Sequence, residues 1–229
     1  MKTYRQFCPM ARAAEVLAER WTLIIVRNLL MGCHTFSEIL EAAPGLPRSV
    51  LSQRLVVLER CNVVERGAHP SGRGHAYYLT SVGEDLWPVC EAMGIWGTRW
   101  LDLEREHMEP HLVLWDISKQ IQPDQLPLER VVVRFDLTDR SRRNRFWLVL
   151  EPQDTEVCDK NPGFHEDLVL TTDCLSLIQW HLGRLPLRKA LREGTVELAG
   201  TPRLVKRFMT DWQGLSVFSS VEPGEPTHA

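Results

Sequence analysis

No stretch of this chain approaches the ~18 consecutive apolar residues of a membrane span. Residues 1–10 also lack the apolar core of a secretory signal. These absences predict a cytoplasmic protein with no membrane partner. The six cysteines, at positions 8, 33, 61, 90, 158 and 174, include no Cys-x-x-Cys pair, so neither a zinc site nor any other metal or cofactor is expected. In a reducing compartment, Cys61, Cys90 and Cys174 read as small buried apolar residues. Gly-x-Ser-x-Gly, a phosphate-binding Walker loop, His-Glu-x-x-His and an evident carboxylate pair are all missing, and no enzyme activity is expected. Positive charge is scarce as well: the formal net charge is -3, an unpromising total for a nucleic-acid binder. Its distribution changes that reading. Residues 1–105 carry +1 and residues 106–229 carry -4, while the segment 47–75 gathers Arg48, Arg54, Arg60, Arg66 and Arg73 against only Glu59 and Glu65. Phosphate attraction depends on such a local patch, not on the total.

What the chain has is a particular order of elements. Residues 9–17 open with Pro and are rich in Ala, which predicts a short helix with Met10, Ala14 and Leu17 inward. Trp21 to Leu30 is apolar on nearly every side and reads as a buried central helix, with a buried strand as the alternative, stopped by Gly32. Thr35 and Glu38 form a capping box ahead of Phe36, Ile39 and Leu40. After the Ala43-Pro44-Gly45 turn, Pro47 starts a helix to about Arg60 with Leu51, Leu55 and Leu58 inward. Two β-prone runs, 63–66 and 75–79, flank a Gly/Pro/Ser turn and predict a hairpin. This is a winged helix-turn-helix plan. Ser81 and Glu84 suggest a second capping box. Leu86, Val89, Met93, Trp96, Trp100 and Leu103 then recur at spacings of 3, 4, 3, 4 and 3, with a kink or restart at Pro88. That narrow seam suits packing on another helix, either in a second subunit or in the same chain.

On the helix after Pro47, the N-terminal half would enter a major groove. Arg48 could read guanine or hold a phosphate, Gln53 could pair with adenine, Ser49 and Ser52 suit base or backbone contacts, and Arg54 suits a phosphate clamp. Arg73, inside Gly72-Arg73-Gly74, and the neighbouring His75 could follow a minor groove or the backbone, although an ordinary hairpin turn has the same composition.

These motifs resemble the HxlR family of bacterial regulators. The resemblance is carried by Cys8-Pro9, Arg20-Trp21-Thr22-Leu23, Thr35-Phe36-Ser37-Glu38-Ile39, Gly45-Leu46-Pro47, Leu51-Ser52-Gln53-Arg54-Leu55, Leu58-Glu59 and Tyr78-Leu79-Thr80, in order, over about residues 5–105. It implies a homodimer that binds an inverted-repeat operator in double-stranded DNA. His34, Val56 and Val57 depart from the family pattern, so the base preferences of relatives do not transfer. Some members sense electrophiles or oxidants through a single N-terminal cysteine, and Cys8 matches that position. A thiol at a helix N-terminus gains nucleophilicity; packing at a dimer interface is the other reading.

Beyond residue 105 the pattern changes to strands, at 131–136, 146–150, 167–172 and 196–199, with helices opened by Asp173, Pro186 and Thr201-Pro202. Leu175, Ile178 and Leu182 are expected on the inner side of the first of these helices. Leu168-Val169-Leu170-Thr171-Thr172-Asp173, Leu182-Gly183-Arg184, Ala190-Leu191-Arg192-Glu193-Gly194 and Val196-Glu197-Leu198-Ala199-Gly200 resemble the sterol carrier protein fold over about residues 125–215. That resemblance implies a twisted sheet backed by helices around a cavity for an apolar small molecule. Phe135, Trp147, Ile178, Trp180, Leu187 and Trp212 are candidate wall residues, with ordinary core as the alternative. Arg140, Arg142, Arg143 and Arg145 read as a solvated hairpin, or less readily as accessory phosphate contacts.

The expectation is an α+β protein: a winged helix-turn-helix and dimerisation domain at 1–105, a linker at 106–124, a sterol-carrier-like domain at 125–221 and a disordered tail at 222–229. The expected function is a ligand-responsive, DNA-binding transcriptional regulator. A regulator switched through Cys8, and a lipid carrier whose winged helix does not bind DNA, are the alternatives.

Overall fold

The computed structural model describes residues 3–68, 74–103 and 108–224. Packing divides the chain into two compact units, Met1–Gly94 and Ile95–Ala229.

The first unit opens with α1 (Pro9–Leu17), α2 (Thr22–Leu30), α3 (Phe36–Glu41) and α4 (Arg48–Arg60). The apolar run at 21–30 is a helix, with Ile25, Val26 and Leu29 buried. The buried Asn28 lies among them. Its side chain donates to Ile39 O and accepts from Arg27, whose guanidinium also donates to Ala42 O, which ties α2 to α3. The Thr35 capping box forms in full: the hydroxyl accepts from Glu38 N, and the Glu38 carboxylate accepts from Thr35 N. Burial raises the Glu38 carboxyl, but bonds from the Thr35 and His34 backbone and the Thr35 hydroxyl outweigh it and hold the group below its ordinary value. Leu51, Leu55 and Leu58 seat α4 on the core.

Strands β1 (Val64–Ala68) and β2 (His75–Leu79) form the antiparallel wing hairpin, with Val64 opposite Leu79 and Ala68 opposite His75. Then come α5 (Ser81–Glu84) and α6 (Trp87–Trp100). The cap of α5 is Thr80, not Ser81: its hydroxyl accepts from Gly83 N. The chain restarts at Trp87-Pro88, where proline fits a first helical turn. Met10 is exposed, contrary to the inward face expected for α1. The group that α1 buries is Glu15, whose carboxylate accepts from the Thr3 hydroxyl, Tyr4 N and Arg12.

The second unit holds α7 (Pro110–Gln120), β3 (Val131–Leu137), β4 (Arg145–Leu150), β5 (Thr155–Cys158), β6 (Leu168–Thr172), α8 (Cys174–His181), α9 (Leu187–Glu193), β7 (Glu197–Gly200) and α10 (Pro202–Asp211). The sheet order is β5-β4-β3-β6-β7; β3 and β6 are parallel and the other neighbours antiparallel. One face carries Val131, Val133, Phe135, Leu137, Phe146, Leu148, Leu150, Leu168 and Leu170 against all four helices. The other face carries a smaller cluster of Val132, Trp147 and Val149.

Residues 106–124, expected as a linker, contain α7, which buries Leu114 and Ile117 in this core. Pro110 opens that helix at a position where proline costs nothing, so it does not mark a break. Strand β5, absent from the expected set, is a four-residue edge strand too short to show a period. On α8 the inner side chains are Cys174, Leu177 and Trp180, while Leu175 is exposed. Of the tail expected to be disordered, residues 222–224 are described and 225–229 lie outside the described residues.

Candidate nucleic-acid interface

Helix α4 presents Arg48, Ser49, Ser52 and Gln53 to solvent along its first two turns, and buries its leucines on the opposite side. A 3.6-residue period separates those faces, so the exposed row follows from the packed one. Pro47 supplies the extended residue that starts the helix. The side chains differ in freedom. The Arg48 guanidinium lies over the Phe36 ring, 5.0 Å from its centroid, which holds it at the junction of α3 and α4. Arg54 is half-buried and donates to Glu19 Oε2 at 2.9 Å, in the connection between α1 and α2. It is therefore paired with a carboxylate, the partner a phosphate would replace in the clamp expected of it.

The wing is fixed at its base by His34. Tyr77 N donates to His34 O at 2.7 Å, His34 Nδ1 lies 3.2 Å from Tyr77 O, and the His34 and Tyr78 rings meet at a tilt with centroids 4.8 Å apart. Sequence reading saw His34 only as a departure from a family pattern. Its role depends on a partner 43 residues away. His75 is exposed at the start of β2. Arg73 lies outside the described residues.

Helix α6 buries none of its side chains. Val89, Met93, Trp96 and Trp100 are 40%, 56%, 58% and 48% exposed. Leu86 and Leu103, the ends of the expected seam, fall just outside the helix and are half-buried. Cys8 is half-buried at the N-cap of α1, next to the exposed Phe7. Burial pushes the Cys90 thiol up. Burial, then Glu156, pushes Cys158 up to about 11; burial, then a bond with Asp139, pushes Cys174 up to about 11. These three are poor nucleophiles.

The six candidate wall residues do not line one space. Phe135, Trp180, Leu187 and Trp212 belong to the helix-covered core. Phe208 packs against Phe135 and Trp180, and the Trp212 indole donates to Gln125 O at 2.8 Å. Trp147 is on the other sheet face, because it alternates with Phe146, and its indole donates to Glu166 at 2.9 Å. Ile178 is buried outside both clusters. Arg140 is not part of a free basic loop either; it donates to Met108 O and to Cys174 Sγ. Among the described residues, no group of three or more His, Cys, Asp or Glu is placed to hold a metal ion, and no helix is long and apolar enough to cross a membrane.

The model of the HxlR-like helix-turn-helix family matches residues 16–105. The HTH-type transcriptional regulator YvaP of Bacillus subtilis (strain 168) is 39% identical over 99 residues, which is 42% of this chain and 92% of YvaP. The solved reduced form of the transcriptional regulator YodB from B. subtilis is 31% identical, covers 42% of this chain and 97% of its own, and superposes with a TM-score of 0.37. The sec-alkylsulfatase Pisa1 from Pseudomonas sp. overlaps 47% of this chain and 17% of its own, at 17% identity and a TM-score of 0.39. With the recognition helix, the wing, the match across residues 16–105 and nearly the whole of YvaP aligned, the chain belongs to the HxlR-like helix-turn-helix family.

Proposed function

We propose that this protein is a sequence-specific, DNA-binding transcriptional regulator that works as a homodimer on an inverted repeat, with a second unit that answers to a small apolar ligand. The observation that carries the DNA reading is the exposed row Arg48, Ser49, Ser52 and Gln53 on a helix packed beside a wing. Arg and Gln offer the bidentate donors and acceptors that base edges in the major groove require. Arg54, His75 and Arg73 are assigned to phosphate and backbone contacts at the rim. The α6 stripe supports dimerisation: Val89, Met93 and Trp96 are exposed, and Trp100, which meets Gly224 on one side, remains 48% exposed for a second copy to cover. A two-fold dimer would present its recognition helices to half-sites about 34 Å apart or a multiple of it. Selection of bound duplexes from a random pool tests this reading: an inverted repeat with that spacing is expected, and recovery of no common sequence contradicts it.

For the second unit we propose a sterol-carrier-like fold in which an apolar molecule enters between the helix layer and the sheet, touching Phe135, Trp180, Leu187 and Trp212; Ile178 lies outside that core and is left out. Trp147 belongs to the other sheet face and is left out. The support is the sheet with four helices on one side and a core rich in aromatic residues. Native mass spectrometry of freshly purified protein tests it: a dimer with added apolar mass is expected, and a dimer that stays empty when offered lipid extract contradicts ligand sensing.

One observation favours a second reading of the switch. Cys8 caps α1 beside the exposed Phe7 and Met10, where oxidation or alkylation would alter the N-terminal arm. Loss of an electrophile response in Cys8→Ser, with operator affinity retained, would establish it.

A further inference from the structure

Helix α6 ends inside the second unit, and two of its last carbonyls, those of Thr98 and Arg99, are taken by residues remote in the chain. The final four C=O groups of a helix have no partner within it. Here Gly97 O accepts from Leu101 N, Thr98 O accepts from Arg184 Nη2 at 2.8 Å, and Arg99 O accepts from Gly224 N at 2.8 Å. A guanidinium is a favoured partner at this end of a helix, because the aligned peptide dipoles place negative charge there. The Arg184 Nε is buried and has no hydrogen-bond partner among the described residues, so the bond to Thr98 O is made by Nη2.

Both partners are themselves held. Arg184 follows Gly183, which has φ +73 and lies so close to the tail that a Cβ on it would sit 2.5 Å from Ser219 O. The tail is fastened along its length. Gly214, at φ +53, presses on Ile117 O of α7, where no side chain fits. Gly214 O lies 2.9 Å from Nδ1 of the buried His181, and Ser216 N donates to His181 O. His181 Nε2 in turn lies 2.7 Å from Asp116 Oδ2. Ser219 N donates to Ser216 O, Val221 N to Phe218 O, and Gly224 closes on Arg99 with its Cα against the Trp100 ring. Residues 214–224 are thus a strap that crosses α7 and the end of α8 and finishes on α6.

We infer that Arg184 and this strap are the fixture through which the second unit sets the state of the α6 carboxyl end, and so the operator affinity of the protein. The inference rests on the regulator reading above. It names the coupling that reading leaves open. Trp96 and Trp100 lie on the last turns of α6, so capping or fraying of those turns changes the surface a second copy meets. Any ligand that shifts α7 or α8 moves the His181–Gly214 and Gly183–Arg184 anchors together. Capped and frayed ends are two states, and a ligand biases them by its difference in affinity for the two. Arg184 is a positioning residue here; it touches neither DNA nor ligand.

The test uses the full chain, a duplex that wild type has selected from a random pool, and two variants. Arg184→Ala removes the cation. Gly224→Pro removes the donor to Arg99 O and adds a Cβ that would meet the Trp100 ring at 2.5 Å, so it displaces the strap from the end of α6. The account expects both variants to speed hydrogen exchange at Leu101, to leave exchange in α4 unchanged, and to shift the operator Kd by about 5-fold or more, the scale of a typical coupling between sites. Faster exchange at Leu101 with an unchanged Kd would overturn the inference, since the cap would then be a fastening only. Unchanged exchange in both variants would overturn it too, since the bonds would hold nothing. A wild type that selects no duplex gives a separate result: it removes the regulator reading itself.

Discussion

Arg54 on the recognition helix is held by Glu19 at 2.9 Å, across the connection between α1 and α2. The pair ties α4 to the connection between α1 and α2, and it occupies a cation that a DNA backbone at this face would compete for. Arg54 is half-buried and Glu19 half in water. Such a pair contributes about 0–1 kcal/mol to stability. Glu19→Gln is therefore expected to cost little stability and to strengthen DNA binding, because Arg54 is released toward phosphate. Titration of operator binding against salt measures this: the slope should be steeper in Glu19→Gln than in Arg54→Ala by about 1 per subunit, with wild type between them.

The exposed seam on α6 makes a second prediction. Trp96 is 58% exposed, so Trp96→Glu should change the folding stability of an isolated chain by no more than about 0.5 kcal/mol. In a dimer it would place a charge in an apolar seam. Sedimentation equilibrium should find wild type as a dimer and Trp96→Glu as a monomer, with operator affinity falling as half-sites are engaged singly. A variant that stays dimeric would place the interface elsewhere.

The Thr35 box fixes the start of α3, on which Phe36 and the Arg48 stack depend. Thr35→Ala is expected to lower stability by about 0.5–2 kcal/mol, the range for loss of an N-cap. Urea unfolding measures it, and Thr35→Ser should recover most of the loss.

The Thr3 hydroxyl, the Tyr4 N–H and Arg12 hold the Glu15 carboxyl below the usual carboxylate range, against burial, which raises it. A carboxyl lowered by folding stabilises the folded arm above its unfolded pKa of about 4.3. That contribution is lost as pH falls through the lower, folded value. Exchange at the Tyr4 amide should therefore rise as pH falls below about 4.3, after correction for intrinsic rates. In Glu15→Gln the step should vanish.

The first unit was largely legible because its signals are local. The Thr35–Glu38 spacing, the Leu51, Leu55, Leu58 stripe and the two β-prone runs each act over a few residues, and the capping box, the buried face and the paired strands stand where they were expected. What was hidden depends on distant partners. Nothing near His34 announces Tyr77, and nothing near Arg54 announces Glu19. Ser81 misled because Thr80, one residue earlier, offers the same hydroxyl. In the second unit, prolines read as a linker hid α7, and aromatic type alone could not tell the face of Trp147 from that of Phe135. The strap carried no signal at all; Gly214 and Gly224 matter only for what lies against them.

The most direct test of the account is the sequence specificity of Arg48→Ala and Gln53→Ala, read by competing the selected operator against versions with a single changed base pair. Each variant should lose about 1–3 kcal/mol of binding to the intact operator and lose discrimination at one symmetric position per half-site, while a base pair elsewhere still matters. If both variants bind as wild type does, with the same preference at every position, the exposed face of α4 does not read DNA and the central claim fails.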